Sequence, residues 1–203
     1  PRTDVAGASP PRVSDIEHRA HAAASRALAG GPAAAARAAI AEADAFLGEI
    51  ARALDLGGRL AALACAKGCA ACCHQMVGVT SAEAALLADA VAALPDPTPV
   101  VARIHAVADR SRGMTVAQWW AARLPCPLLD EAGACAVHTA RPLPCRAMNS
   151  ADAGICRRAF AGAADARHIP VLAAQHGTYG HAQAGLARAV GGGAQPLAAA
   201  LLR

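Results

Sequence analysis

Eight cysteines carry the chemistry this sequence offers. Cys65, Cys69, Cys72 and Cys73 crowd into CAKGCAACC, and Cys126, Cys135, Cys145 and Cys156 follow. Thiols form disulfides, exchange electrons as CxxC pairs, or ligate metal as thiolates. Disulfide frameworks belong to short secreted chains in which cysteine exceeds ~8% of residues. Here cysteine is 8 of 203, and the opening PRTDVAGASPPRVSD lacks the apolar core and cleavage site of a secretory signal. The neighbours Cys72 and Cys73 are also poor partners for each other, because bridging them strains the backbone. A redox role for Cys69-Ala70-Ala71-Cys72 calls for a βαβ setting that the sequence does not provide. Metal ligation is the reading adopted. Cys69 and Cys72, two residues apart, form the half-site of zinc and iron–sulfur proteins, and Cys65 is near enough to join them. Cys73 projects differently from Cys72, which suits a multinuclear cluster or two neighbouring sites. Cys126 and Cys135 flank a turn that brings them together, and Cys145 and Cys156 complete a second group of four.

Taken together, CAKGCAACC, TSAEAALLA, CPLLDEAGACAVHTARPLPCR and the trailing Cys156 resemble the YkgJ-type cysteine-cluster family, a zinc- or iron-chelating domain with a CxxCxxCC signature. The likeness runs from Cys65 to Cys156 and includes Arg141-Pro142 and Cys145-Arg146. It departs from the pattern twice: three residues separate Cys65 from Cys69, and His138 stands where the family commonly has tyrosine. The resemblance implies metal bound by the eight cysteines, as zinc or an iron–sulfur cluster. The vicinal Cys72-Cys73 pair and the Cys126-Pro127 step tilt the choice toward iron–sulfur. The same domain is similar to the cysteine-rich part of flagellin lysine N-methylases, which implies an S-adenosylmethionine-dependent enzyme as one alternative. A structural zinc module for protein contacts is the other. No phosphate loop, nucleophile elbow or carboxylate pair assigns a reaction.

Arg141 and Arg146 bracket Cys145 and are candidates to donate hydrogen bonds to sulfur and offset the cluster's charge. Arg157 and Arg158 read as solvated. His74 and His138 read as bystanders among so many thiols, and His176 and His181, in QHGTYGH, as exposed residues at a glycine-punctuated helix end. Trp119 and Trp120 are expected to cover the cluster or the core.

Helices must position these residues. Residues 1–13, with three prolines, read as a disordered arm. Residues 14–60 read as alanine-rich helices opened by a capping box, Ser14 to Glu17, and interrupted at Gly30-Gly31-Pro32. Residues 61–160 form the cysteine domain. Within it, Thr80 to Glu83 and Thr115 to Gln118 cap further helices, PDPTP separates two of them, and Asp130 to Gly133 turns a β-hairpin. Residues 161–203 return to helix and pack on that domain. The expected fold is mainly α, an irregular helical domain with one small hairpin, organised around a cysteine metal cluster.

Composition narrows the partners. The apolar fraction is 55%, but aromatics are 2% and alanine supplies much of the rest, so bound metal would help a core of small side chains. The net charge of +4 counts no thiolate. A zinc ion held by four thiolates carries roughly −2, so two such sites offset it. With no basic run interleaved with aromatics, nucleic acid is not expected. No apolar run reaches the ~18 residues of a membrane span. The expected partners are metal ions, with room for a protein, and the expected location is the cytoplasm.

Overall fold

Alanine-rich, proline-punctuated sequence folds here into ten α-helices among the residues described by the computed structural model, 11–166 and 168–203. They are α1 (Asp15–Ala27), α2 (Pro32–Ala53), α3 (Gly57–Ala61), α4 (Ser81–Ala92), α5 (Thr98–Ser111), α6 (Val116–Ala122), α7 (Leu143–Ala147), α8 (Ala153–Ala161), α9 (Ala173–Val190) and α10 (Leu197–Ala200). The expected arm falls largely on residues 1–10, outside the described residues. Val13 packs against the first core.

Helices α1, α2 and α9 pack together around Ile16, Ile40, Phe46, Ile50 and Leu186, with alanines filling the close approaches. Small side chains let helix axes come near one another, and Gly185 carries this furthest: it packs directly on the α1 backbone at Glu17 and His21. The segment around Gly177 and Gly180 is accordingly helix interior rather than the helix end the sequence suggests. Helix α9 runs unbroken to Gly191, whose φ of +72° caps it.

A second core joins α4, α5 and α10 through Leu87, Val91, Val100, Ile104 and Leu197, and Cys126 and Cys135 rest against it. Helix α4 serves both cores, with Ala82 and Leu86 in the first and Ala84 and Leu87 in the second. It starts at a complete capping box, Thr80 with Glu83, and α6 starts at another, Thr115 with Gln118. At Ser14 no such box forms. The residue's backbone is already helical (ψ −21°), so its hydroxyl does not reach the free amides, and Asp15 instead accepts from the Arg12 amide at 2.9 Å.

The expected hairpin is reduced to a single antiparallel bridge, Leu129 with Cys135, closed by Asp130 and by Gly133 at φ +73°. Extended pairing occurs elsewhere. Strand β1 (Gly78–Val79) pairs antiparallel with β2 (Gln195–Pro196), tying the chain after the first cysteine cluster to the C-terminal segment. Among the described residues no helix is long and apolar enough to cross a membrane.

Candidate metal centre

Cys72 and Cys73 sit on a single 3-10 turn, Ala71–His74, which follows an irregular loop carrying Cys65 and Cys69. The Cys126 amide donates to the Cys73 carbonyl at 2.6 Å, joining this turn directly to the second cysteine segment. Arg103 of α5 steadies that segment by donating to the Pro127 carbonyl at 3.1 Å. Cys145 rides on α7, and Cys156 on α8, which packs against the 71–74 turn.

The result is a cavity of about 300 Å³ lined by six of the eight thiols: Cys69, Cys72, Cys73, Cys126, Cys135 and Cys145. Met76, Met148, His138, His176 and Arg141 share the lining. All eight cysteines are free thiols. Among the described residues no three His, Cys, Asp or Glu side chains converge as a ligand set for an ion. The thiols therefore share a chamber without forming a closed coordination shell.

Their electrostatics separates two neighbourhoods. Burial holds the Cys145 thiol well above its usual range, and Cys126, Cys72 and Cys135 add to the effect. Burial pushes Cys126 up to about 12, with Cys135 and Cys72 again nearby. Burial also raises Cys135, opposed by Arg141 and Lys67. Cys65 and Cys156, outside the cavity, are raised by burial and feel Cys69, Cys72 and, in the case of Cys65, Cys156. Cys72 belongs to both neighbourhoods. Its thiol is raised first by a hydrogen bond with Cys73 and then by burial. Of the expected second quartet, Cys126, Cys135 and Cys145 line the chamber with Cys69, Cys72 and Cys73, while Cys156 lies outside it.

Donor chemistry provides a test of fit. The Arg141 Nε is buried and has no hydrogen-bond partner among the described residues, although the residue lines the thiol chamber and acts on Cys72, Cys135 and Cys145. An unpaired buried cationic donor is costly unless it meets a negative acceptor. Thiolates holding a metal supply one, so the residues present fit a thiolate-bound group. Arg146 takes a different position. Its guanidinium donates to the Arg141 and Thr139 carbonyls at 2.9 Å each and lies 3.6 Å from Asp44, so it braces the turn that carries Arg141. Arg157 and Arg158 are exposed, and Arg158 pairs with Asp165.

His74 packs on Phe160, ring centres 4.2 Å apart, and its Nδ1 faces the Ala70 carbonyl. His138 does line the chamber. Burial, then Arg141 and other cations, hold its imidazole below the usual range. Trp119 is buried and Trp120 meets Phe160 edge-on.

Two positioning roles escaped the sequence reading, one of them at a residue read only as part of a helix cap. Glu83 is fully buried and accepts from four donors: the Thr80 amide and hydroxyl, the Gln183 side chain, and the Leu143 amide at the start of α7. Its signal was a carboxylate on the buried face of an otherwise apolar helix. Ser150, 1% exposed, donates its amide to the Cys65 sulfur at 3.3 Å. Its signal was the Asn-Ser-Ala-Asp turn just ahead of Cys156.

Comparison with protein families matches the CxxCxxCC model, described as "Putative zinc- or iron-chelating domain", over residues 64–166. No curated protein and no solved structure matches the chain.

Proposed function

The chain belongs to the CxxCxxCC family, and from that premise we propose that it holds a zinc or iron centre through thiolates drawn from both cysteine-bearing segments. Cys72, Cys126, Cys135 and Cys145 are the principal ligands, with Cys69 and Cys73 beside them and Cys65 and Cys156 at the periphery. The observation that carries this reading is the chamber itself: six thiols line one cavity together with a buried guanidinium nitrogen that has no hydrogen-bond partner among the described residues. Arg141 stabilises the ionised ligands there, and Arg146 holds Arg141 in place through its carbonyl. Zinc in such a site would close the fold; an iron–sulfur cluster would add electron transfer, and the adjacent Cys72-Cys73 pair favours the cluster.

The test is metal analysis and a visible spectrum of protein purified without oxygen. Iron with sulfide and broad absorption near ~400 nm support the cluster, and stoichiometric zinc in colourless protein supports the closed site. Arg141→Met should weaken metal affinity about 10–100-fold while leaving the metal-free fold intact. Metal-free protein that takes up neither ion after thiol reduction contradicts the proposal.

A further inference from the structure

Helices α2 and α9 lie outside the family-matched residues 64–166, yet both reach the turn that carries Arg141. Tyr179 of α9, buried in the first core, donates its hydroxyl to Asp44 Oδ1 of α2 at 2.6 Å. The other carboxylate oxygen of Asp44 stands 3.6 Å from Arg146 Nη1. The two remaining nitrogens of that guanidinium hold the Arg141 and Thr139 carbonyls, so its fork closes on the backbone of the turn. Helix α9 meets the same place a second time: Gln175, one helical turn before Tyr179, donates to the Arg146 carbonyl at 2.9 Å. Tyr179, Asp44, Arg146 and Arg141 thus form a continuous line from the first core to the thiol chamber, ending at the buried Arg141 Nε. Stability gains little from its central pair. The Arg146 side chain is 17% exposed but that of Asp44 is 47% exposed, and an ion pair open to water on one side contributes little to folding.

We propose that Tyr179, Asp44 and Arg146 are positioning residues for the metal centre: they fix where Arg141 stands beside the thiolates and so set how firmly the metal is held. This rests on the metal-binding reading above and extends its supporting residues to two helices that the family match does not include. The physical reason is directional. A guanidinium is a rigid planar fork, so holding one arm aims the other two. The Tyr179 hydroxyl steadies the Asp44 carboxylate, the carboxylate holds the Nη1 arm, and the other arms keep the 139–141 carbonyls in place. Without the Asp44 charge, Arg146 loses its only anionic partner among the described residues, and the turn beneath Arg141 loses its anchor. Partners that orient a metal site from outside its ligands change affinity about 10–100-fold when removed, and Asp44, one step further out, belongs at or below the lower end.

The experiment measures Zn²⁺ affinity of the reduced full chain, without oxygen, by competition with a chromogenic chelator. Asp44→Asn should weaken binding about fivefold to tenfold and Tyr179→Phe about twofold to threefold. The melting midpoint of each metal-free variant should stay within about 4 °C of wild type. A cycle with Arg141→Met then separates positioning from a merely structural role. In that background Asp44→Asn should change affinity by less than about twofold, because the residue through which it acts is gone. Tyr179→Phe, which keeps the ring in the core, repeats the cycle with the least disturbance of packing. Full additivity with Arg141→Met overturns the proposal, as does an affinity unchanged by Asp44→Asn or a loss matched by a fall in the metal-free melting midpoint. A wild-type chain that takes up neither Zn²⁺ nor Fe²⁺ overturns the metal-binding reading itself, and the positioning role with it.

Discussion

Glu83 shows what a single side chain does for the site. A carboxylate with no exposure is tolerated because both oxygens are engaged, by Thr80, Gln183 and the Leu143 amide. The last of these occupies one of the free amides at the start of α7, two residues before Cys145. Glu83→Gln removes the charge and turns one acceptor into a donor facing donors. It should cost about 2–4 kcal/mol in urea unfolding, against about 1 kcal/mol for Thr80→Ala, which removes only the cap. Equal losses in the two variants would contradict the hub role. The thiols add a pH dependence with a definite sign. In the metal-free protein Cys126 is pushed up to about 12, whereas in the unfolded chain a thiol ionises near ~8.5. Between these values the unfolded chain binds fewer protons than the folded one. The contribution is therefore complete below about 8.5 and lost as pH climbs toward about 12. Urea midpoints of reduced, chelator-treated protein should fall from pH 7 to pH 10, and by less in Cys126→Ala.

At the scale of elements, glycine and alanine do work that larger side chains do elsewhere. A Cβ on Gly185 would overlap the Glu17 carbonyl oxygen and approach the His21 amide nitrogen to 2.9 Å. These are backbone atoms that cannot rotate away. Gly185→Ala should therefore destabilise by about 3 kcal/mol, while Gly180→Ala, with nothing near its Cβ, should gain about 0.5–1 kcal/mol from helix propensity. Thermal melts of the two variants moving in the same direction would contradict this packing. The sequence carried the helices well, because the capping boxes at Thr80 and Thr115 and the breaks at Gly31 and Pro97 act locally. It misled at Ser14, where the same local pattern was outcompeted by Asp15 and Arg12. It also misled over QHGTYGH, where glycines serve the contact with α1 rather than ending a helix; Gly177 lies against Val13. The hairpin is half legible: Asp130 and Gly133 turn the chain as expected, but only one bridge forms, and the extended pairing goes to residues 78–79 and 195–196. Nothing local marks that pairing, since its two strands are more than a hundred residues apart.

Over the whole molecule, the cysteine segments lie where the two cores meet. Residues 65–73 are joined to residues 126–156 by the Cys126–Cys73 backbone bond, by α8 against the 71–74 turn, and by Ser150 at Cys65. That the two cysteine segments come together was legible from spacing, and so was the place of Arg141 beside them. Which thiols line the chamber was not, because the path of α7 and α8 decides it, and that path leans on Glu83 at the start of α7 and on buried Asn149 between the two helices. Metal at this point would staple both halves of the chain, a useful addition to a core built largely from alanine. X-ray absorption at the edge of the metal found in the protein as purified without oxygen examines this most directly. A shell of sulfur alone at about 2.3 Å is the predicted result, losing sulfur in both Cys72→Ser and Cys145→Ser. A shell of nitrogen and oxygen donors, or one unchanged by either substitution, would contradict it.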